Sequence, residues 1–156
     1  MVKINSTSRL PSINTSIILT QTDTTVGFLS QDETKLQEIK ERSSYKPFIR
    51  VYKNFKTLQS YIRVPNKQKA MIRRAKRTTF IVKGISWRVA ADAVNSAQLR
   101  CIEWNYSTSA NERAKNFSRV FCEEKADIIV EDKNSLKEGE SSKLYKINSK
   151  KKVRLR

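Results

Sequence analysis

The residues Ser107-Thr108-Ser109-Ala110-Asn111 constrain the fold of this chain more than any others. They follow Trp104 and Tyr106, two residue types common in strands, and place several hydroxyl groups and an amide side by side. We therefore predict the end of a buried strand that presents small hydrogen-bonding groups to a ligand, since ligands bind at such edges in open α/β sheets. An ordinary Ser/Thr/Asn turn would explain the same residues.

A second polar cluster has the same character. Thr22-Asp23-Thr24-Thr25 ends the apolar run Ile17-Ile18-Leu19, so it also follows a strand-like segment. Two strand ends that carry the same kind of side chain predict one shared site.

Length and composition predict a single domain. The 156 residues are 38% hydrophobic, which suits one compact core formed by residues 16–156 behind a polar N-terminal segment, residues 1–15. Three Gly and three Pro argue against a linker or a disordered chain. We find neither a signal-peptide pattern nor an apolar run of membrane-spanning length, and so expect a cytoplasmic protein with no membrane partner.

The chain contains no histidine, which limits the kinds of catalytic and metal-binding site that it can form. Without imidazole the chain lacks the commonest general base, the commonest metal ligand and the usual partner of a catalytic Ser or Cys. Cys101 and Cys122 are far apart and form no CxxC pair, so they predict neither a zinc site nor a disulfide framework. Both are expected to be small residues of the core.

Positive charge is concentrated in two regions. The formal net charge is +17, and between Lys40 and Arg88 fifteen Lys or Arg face one acid, Glu41. Lys143 to Arg156 adds seven basic residues and no acid. Such one-sided charge favours a polyanionic partner, although Lys-rich helices can also be merely solvated faces.

Local patterns predict strands that alternate with helices, and hence an α/β (α+β) fold with an open, twisted mixed sheet and flanking helices. The predicted strands cover residues 16–21, 48–52, 78–82, 85–89, 127–131, 144–147 and 153–155.

Capping signals predict where the helices begin. Ser30 with Glu33 forms a capping-box pattern for a helix to about Arg42, and Asn54, Asn66 and Ser118 are the other predicted caps. Val120 and Phe121 of the last helix are expected to face the core, and residues 90–101 are Ala-rich and predicted to be helical.

Three motifs of the sequence resemble segments of the YrdC-like family. Thr22-Asp23-Thr24-Thr25-Val26-Gly27 resembles its Pro-Thr-Asp/Glu-Thr-x-Tyr-Gly segment. Lys40-Glu41-Arg42 with Lys46-Pro47-Phe48 is similar to its Lys-x-Arg motif and the Lys-Pro-Leu that follows, and residues 107–111 resemble its Thr-Ser-Ala-Asn signature. The agreement in order and spacing is more specific than any single motif, and the resemblance spans residue 17 to the C-terminus.

The resemblance implies a YrdC-like (dsRNA-binding-like) fold with a concave basic face. It also implies the short form of a threonylcarbamoyl-AMP synthase, a nucleotidyltransferase that joins L-threonine, bicarbonate and ATP for the modification of an adenosine in tRNA. Such chemistry needs charge neutralisation and positioning more than a proton-shuttling His. Lys and Arg are suited to clamp phosphates and carboxylates.

By the match of motifs, Lys40 and Arg42 are the implied catalytic residues. Implied contacts to threonine come from Thr22, Thr24, Ser107 and Ser109, and implied contacts to ATP from Lys46, Asn111, Ser142 and Arg154. ATP is expected as a substrate with Mg²⁺ bound through its phosphate oxygens, without a tightly held metal.

The sequence departs from the family pattern at several positions, and a second function stays open. Val26 stands where the family usually has Tyr, and Ala90 where it has Pro. The alternative is a non-catalytic member that binds tRNA or double-stranded RNA, and partner proteins of tRNA modification fit both readings. Carbamoyl transfer, as in hydrogenase maturation proteins, is a third reading. The predicted RNA-binding surface consists of Lys67, Lys69, Arg73, Arg74, Lys76 and Arg77.

Overall fold

The computed structural model describes residues 2–4, 12–41, 47–90, 102–113, 115–131 and 133–156. The strands in these ranges are β1 (Val2–Ile4), β2 (Ile18–Gln21), β3 (Val26–Ser30), β4 (Ile49–Tyr52), β5 (Thr78–Val82), β6 (Ile85–Val89), β7 (Trp104–Ser109), β8 (Ile128–Val130), β9 (Lys143–Ile147) and β10 (Lys152–Arg154). The helices are α1 (Glu33–Ile39), α2 (Phe55–Tyr61), α3 (Lys69–Arg74) and α4 (Arg119–Lys125), with a 3-10 turn at Asn66–Gln68. None of these helices is long and apolar enough to cross a membrane.

The described strands form one mixed sheet in the order β1-β8-β2-β3-β7-β4-β6-β5-β9-β10. The pairs β2·β8, β4·β6 and β5·β9 are parallel, and the other neighbours are antiparallel. The sheet ends at β1 and β10 instead of closing into a barrel, so the predicted fold class, a mixed α/β fold on an open mixed sheet, is confirmed. The polar segment 1–15 contributes the edge strand β1.

The described helices cover one face of the sheet. Leu36 of α1 and Cys122 of α4 pack in one cluster with Phe28, while Leu58 of α2 packs in another with Trp87. Strand residues alternate between faces, so the residues next to Phe28 and Trp87 in sequence point the other way. That opposite face carries a smaller cluster around Ile18, Leu29 and Val51.

Strand β3 lies at the centre of the sheet and was missing from the sequence-based prediction. Its five residues are all buried, and it pairs with β2 on one side and β7 on the other. Gly27 is a residue of this strand and lies opposite Ser109. Central strands are buried on both faces, so they lack the alternation that identifies a strand in sequence.

Two predicted helix starts were wrong. Ser30 ends β3 and its hydroxyl accepts a hydrogen bond from the Asp32 backbone, whereas Asp32 caps α1 by accepting from the Lys35 backbone N–H at 3.2 Å. Asn66 begins the 3-10 turn without capping through its side chain. Ser and Asn side chains can hydrogen-bond to nearby backbone groups in several conformations, which makes their sequence signal ambiguous.

Other local predictions were confirmed. Asn54 caps α2 and accepts a hydrogen bond from the Thr57 backbone at 2.8 Å. The predicted strands 78–82 and 85–89 are present as β5 and β6, which form a hairpin that turns through Lys83 and Gly84, with φ angles of 50° and 82° typical of a tight turn. Most of the predicted helix over residues 90–101 lies outside the described residues.

Helix α4 has one face buried and one exposed. Val120 is 70% exposed, so the prediction that it faces the core was wrong, whereas Phe121 packs against the core as expected. Cys122 is buried, as predicted, and burial raises the pKa of its thiol to about 11. Cys101 lies outside the described residues.

The close approach of β3 to β7 predicts a strong effect of Gly27→Ala. The new Cβ would lie 2.9 Å from Thr22 Cγ2 and 3.0 Å from the Thr108 carbonyl oxygen, which belongs to the paired strand. We expect the free energy of unfolding, measured by denaturant titration, to fall by about 1–3 kcal/mol.

The control is Gly84→Asn. Gly84 has a positive φ, which Asn tolerates, and its added Cβ would meet nothing within 4 Å. We expect a change of less than about 1 kcal/mol there. Equal stability of the two variants would contradict the close packing of β3 against β7.

Candidate active site

A cavity of about 320 Å³ opens on the side of the sheet opposite the helices. It brings together the Thr-rich turn after β2, the hydroxyl-rich end of β7, the loop before β9 and the C-terminal residue. Its lining consists of Thr22, Thr24, Thr25, Gly27, Pro47, Ile49, Arg88, Ser107, Thr108, Ser109, Ser141, Ser142 and Arg156. The two polar clusters predicted to share one site therefore meet, although Ser107 to Ser109 lie within β7 and not beyond its end.

The Thr-rich turn is held by its own hydroxyl groups. Thr22 Oγ1 donates to the Thr25 carbonyl at 2.6 Å and accepts from the backbone N–H groups of Thr24 and Thr25, both at 3.3 Å. Gly139 packs closely against the turn. Its N–H donates to Thr25 Oγ1, and a side chain at this position would overlap the Thr24 carbonyl oxygen. The turn is thus pre-formed.

A buried ion pair lies under the turn. Arg88 Nη1 is 2.9 Å from Asp23 Oδ1, and the two side chains are only 5% and 3% exposed. The same Nη1 donates to Thr24 Oγ1 at 3.0 Å. Burial lowers the pKa of the Arg88 guanidinium, although the Asp23 carboxylate opposes that shift. Arg88 therefore joins β6 to the turn and places a buried cation in the cavity wall.

Lys40 lies at the hydroxyl-rich end of β7. Its ammonium group donates to the Ser109 carbonyl at 3.1 Å, to the Asn111 side-chain oxygen at 2.8 Å and to the Asn111 carbonyl. Ser109 Oγ donates to the same Asn111 side-chain oxygen at 2.7 Å. An ammonium has three N–H groups, so these bonds match its capacity and connect the end of α1 to β7.

The C-terminal part of the chain closes the other side of the cavity. Ser142 Oγ is 2.9 Å from Thr79 Oγ1, and Arg156 Nε donates to the Ser142 carbonyl at 3.1 Å. Arg154, the predicted ATP ligand, lines an adjoining cleft of about 450 Å³ that shares Ser142 and Arg156 with the cavity. The predicted site residues Arg42 and Lys46 lie outside the described residues.

Two cations of the cavity wall were not among the predicted site residues. Arg88 lies between the apolar residues Trp87 and Val89 of a strand, and a charged residue in such a setting indicates a buried polar partner. Arg156 belongs to a uniformly basic tail, where sequence offers no reason to choose it over Arg154.

Comparisons with known proteins identify the fold. No protein-family model and no curated protein matches the sequence, but solved structures do. A doubly substituted Sua5 from P. abyssi matches with a TM-score of 0.74 and 18% identity, over 90% of this chain and 52% of Sua5. YciO from E. coli matches with 0.74 and 18%, over 91% and 82%. P. abyssi Sua5 complexed with L-threonine matches with 0.71 and 19%, over 90% and 50%.

The chain has the fold shared by Sua5 and YciO, and it spans about half the length of Sua5. The YrdC-like fold expected from the three motifs is therefore confirmed.

The buried ion pair predicts an asymmetric response to substitution. Asp23→Ala leaves the Arg88 charge buried and uncompensated, so we expect the free energy of unfolding to fall by about 3–5 kcal/mol. Replacing both partners, by Asp23→Leu with Arg88→Met, should cost less than Asp23→Ala alone. Denaturant titration of the wild type, Asp23→Ala and the double variant measures the free energy of unfolding of each protein.

Glu140→Ala is the matched control, because it removes an ion pair at the surface. Arg77 and Glu140 are 3.7 Å apart with side chains 45% and 91% exposed, so the loss should be below about 1 kcal/mol. If Asp23→Ala and Glu140→Ala proved equally stable, the buried pair would not support the cavity wall.

Proposed function

We propose that this protein is an L-threonylcarbamoyladenylate synthase. The observation that carries the proposal is the convergence of Thr22, Thr24, Ser107 and Ser109 with Ser142 around one cavity that also contains Arg88 and Arg156. Hydroxyl groups suit a small polar amino acid, and cations suit the phosphates of a nucleotide. Sua5, which has the same fold, is known in complex with L-threonine, and this supports threonine as the amino acid.

In the proposed reaction the amino nitrogen of threonine bonds to the carbon of bicarbonate and water leaves, which gives a carbamate. A carbamate oxygen then bonds to the α-phosphorus of ATP, the bond to the β-phosphate oxygen breaks, and pyrophosphate leaves. The product, threonylcarbamoyl-AMP, would supply the modification of a tRNA adenosine in the cytoplasm. Both steps gather anionic groups in one place, so positioned cations can supply much of the acceleration.

The proposed roles combine the positions of the described residues with the match of motifs. Thr22, Thr24, Ser107 and Ser109 would bind threonine in the cavity of about 320 Å³. The triphosphate and its Mg²⁺ would lie along the adjoining cleft, where Ser142 and Arg154 meet Arg156. Asn111 and Lys46 are proposed as further ATP contacts from the match of motifs alone. Lys40 and Arg42 would supply positive charge beside the reacting groups, and Lys40 would also hold Ser109 and Asn111 in place.

This proposal predicts a threonine-dependent and bicarbonate-dependent release of pyrophosphate from ATP. Lys40→Ala should lower that rate at least about 100-fold, because it removes both a charge and the connection to β7. Arg42→Ala should have a comparable effect. A coupled pyrophosphate assay, run with and without each substrate, measures the rates.

Lys35→Ala is the control on the same helix, since Lys35 is exposed and its ammonium group donates to the Thr15 carbonyl away from the cavity. Its rate should match that of the wild type. A folded protein that releases no pyrophosphate under any of these conditions would refute the proposal.

A second candidate function is the binding of structured RNA, with or without catalysis. A cleft of about 470 Å³ is lined by Arg74, Lys76, Lys143 and Lys152, and Tyr145 forms part of its wall with the Lys152 ammonium 4.9 Å from its ring centroid. Lys76 and Lys143 also line the cleft beside the cavity. Cations grouped in this way, with Glu140 as the one acid among the described residues that line the two clefts, favour contact with a phosphate backbone.

The predicted RNA-binding surface is divided by the structure. Arg74, Lys76 and Arg77 line these two clefts, whereas Lys67 lies in a separate groove. The guanidinium of Arg73 lies 5.0 Å from the ring centroid of Phe55. Lys69 is only half-exposed on α3. The clefts therefore favour a surface formed by β9, β10 and the end of α3.

If RNA tracks these clefts, its affinity must fall steeply with salt. We expect filter binding of an unmodified tRNA transcript to weaken as KCl rises, and Lys143→Ala with Lys152→Ala to reduce the slope of log affinity against log salt by about 2. Lys133→Ala, which removes an exposed cation from the turn after β8, should leave the slope unchanged. Affinity that hardly responds to salt would contradict RNA binding at these clefts.

A further inference from the structure

A groove at the turn end of the β5–β6 hairpin is a site of a different kind. It has a volume of about 730 Å³ and lies between that hairpin, the segment after α2 and the end of β9. We propose that it binds an acidic peptide segment of a partner protein, with apolar side chains of the peptide in the groove and its carboxylates on the rim.

The groove has an aliphatic base, and its walls combine aliphatic side chains with the uncharged polar residues Asn66, Asn148 and Ser149. Val64 and Ile147 are buried at 5% and 3% exposure, while Ile85 remains 43% exposed beside them. Tyr61, 51% exposed, stands at one side. Large apolar side chains that stay this exposed around a concavity are typical of a surface that receives another apolar group.

The rim of the groove is positively charged. Arg63, Lys67 and Lys83 line it, and no acidic residue does so among the described residues. The chain carries no Asp or Glu at all in residues 54–90 or 141–156. The described acid bonded to the lining is Glu103, which already accepts from the Tyr61 hydroxyl at 2.6 Å and lies 3.9 Å from Lys53. Carboxylates of a ligand would therefore be the natural counter-charges.

This combination favours a peptide over the other candidates. Proteins bind single-stranded nucleic acids by stacking the bases on aromatic side chains, but among the described residues that line this groove Tyr61 is the one aromatic residue. A second copy of this chain would bring a net charge of +17 to an already basic rim. An acidic peptide with apolar residues at intervals would place apolar side chains against the base of the groove and carboxylates beside the cations of its rim.

Local contacts hold the walls of the groove. Asn54 caps α2, the Lys69 N–H donates to the Asn66 carbonyl in the 3-10 turn, and the turn at Lys83 and Gly84 joins the paired strands β5 and β6. The candidate active site lies at the other end of β6, where Arg88 is placed. The proposal therefore stands independently of the proposed synthase activity.

The test is a selection of random 12-residue peptides displayed on phage against the whole protein. We expect enriched peptides that combine several Asp or Glu with two or more large apolar residues. Synthesised with a fluorophore, these peptides should bind the wild type, and Ile85→Ser should weaken them at least about fivefold. The double variant Arg63→Glu with Lys83→Glu should weaken them at least about tenfold.

Two matched controls keep the result specific to the groove. Val120→Ser replaces another exposed apolar residue, on α4, and Lys133→Glu reverses another exposed charge, so both should bind as the wild type does. Thermal unfolding of every variant verifies that the fold is retained; Ile85 is already 43% exposed, so Ile85→Ser should unfold like the wild type.

Three results would overturn the proposal. The first is a selection that enriches no peptide, or only neutral or basic ones. The second is acidic peptides that bind Ile85→Ser and the charge-reversed variant as tightly as the wild type. The third is a 12-nucleotide single-stranded RNA that loses affinity for Ile85→Ser while the acidic peptides do not, which would assign the groove to nucleic acid.

Discussion

The antiparallel pairing of β3 with β7 is the constraint on which the candidate site depends. Its register places Gly27 opposite Ser109 and Leu29 opposite Ser107. Gly27 and the two serines, which are far apart in sequence, therefore face the same side of the sheet. Side chains alternate along a strand, and a slip of one residue would turn both serines toward the helices. Gly27 permits the approach because any side chain there would meet the backbone of β7.

Some cations of the molecule are held in position by bonded partners, whereas others are exposed to solvent. Arg88 is buried and paired with Asp23, and Lys40 is bound to Ser109 and Asn111, so these cations are fixed in position. Fixed charges need no reorganisation when a charged group reacts beside them. The cations of the clefts near β9 and β10 are mostly exposed, and their effect on a polyanion decreases with salt.

The aliphatic groove shows that positive charge alone does not define one partner. Lys67 belongs to the same basic stretch as Arg74 and Lys76, yet it lies beside Ile85 and Val64, while the other two line a cleft with Tyr145. Neighbouring cations can therefore serve ligands of different chemistry, since the side chains between them decide whether a ring can stack or an aliphatic group can be buried.

The sequence by itself determined the elements whose signals are local. The Asn54 cap, the β5–β6 hairpin and the hydroxyl-rich cluster at residues 107–111 depend on residues close together in the chain, and the mixed fold class follows from their alternation. The sequence also predicted that the two hydroxyl-rich clusters would meet, but the tertiary structure decided the other contacts between distant segments. The burial of β3 on both faces, the pairing of Arg88 with Asp23 and the presence of Arg156 in the cavity wall all depend on contacts between distant segments. Local periodicity and capping carry no information about such contacts, because the free energy that selects them comes from burial and charge pairing after the sheet has assembled.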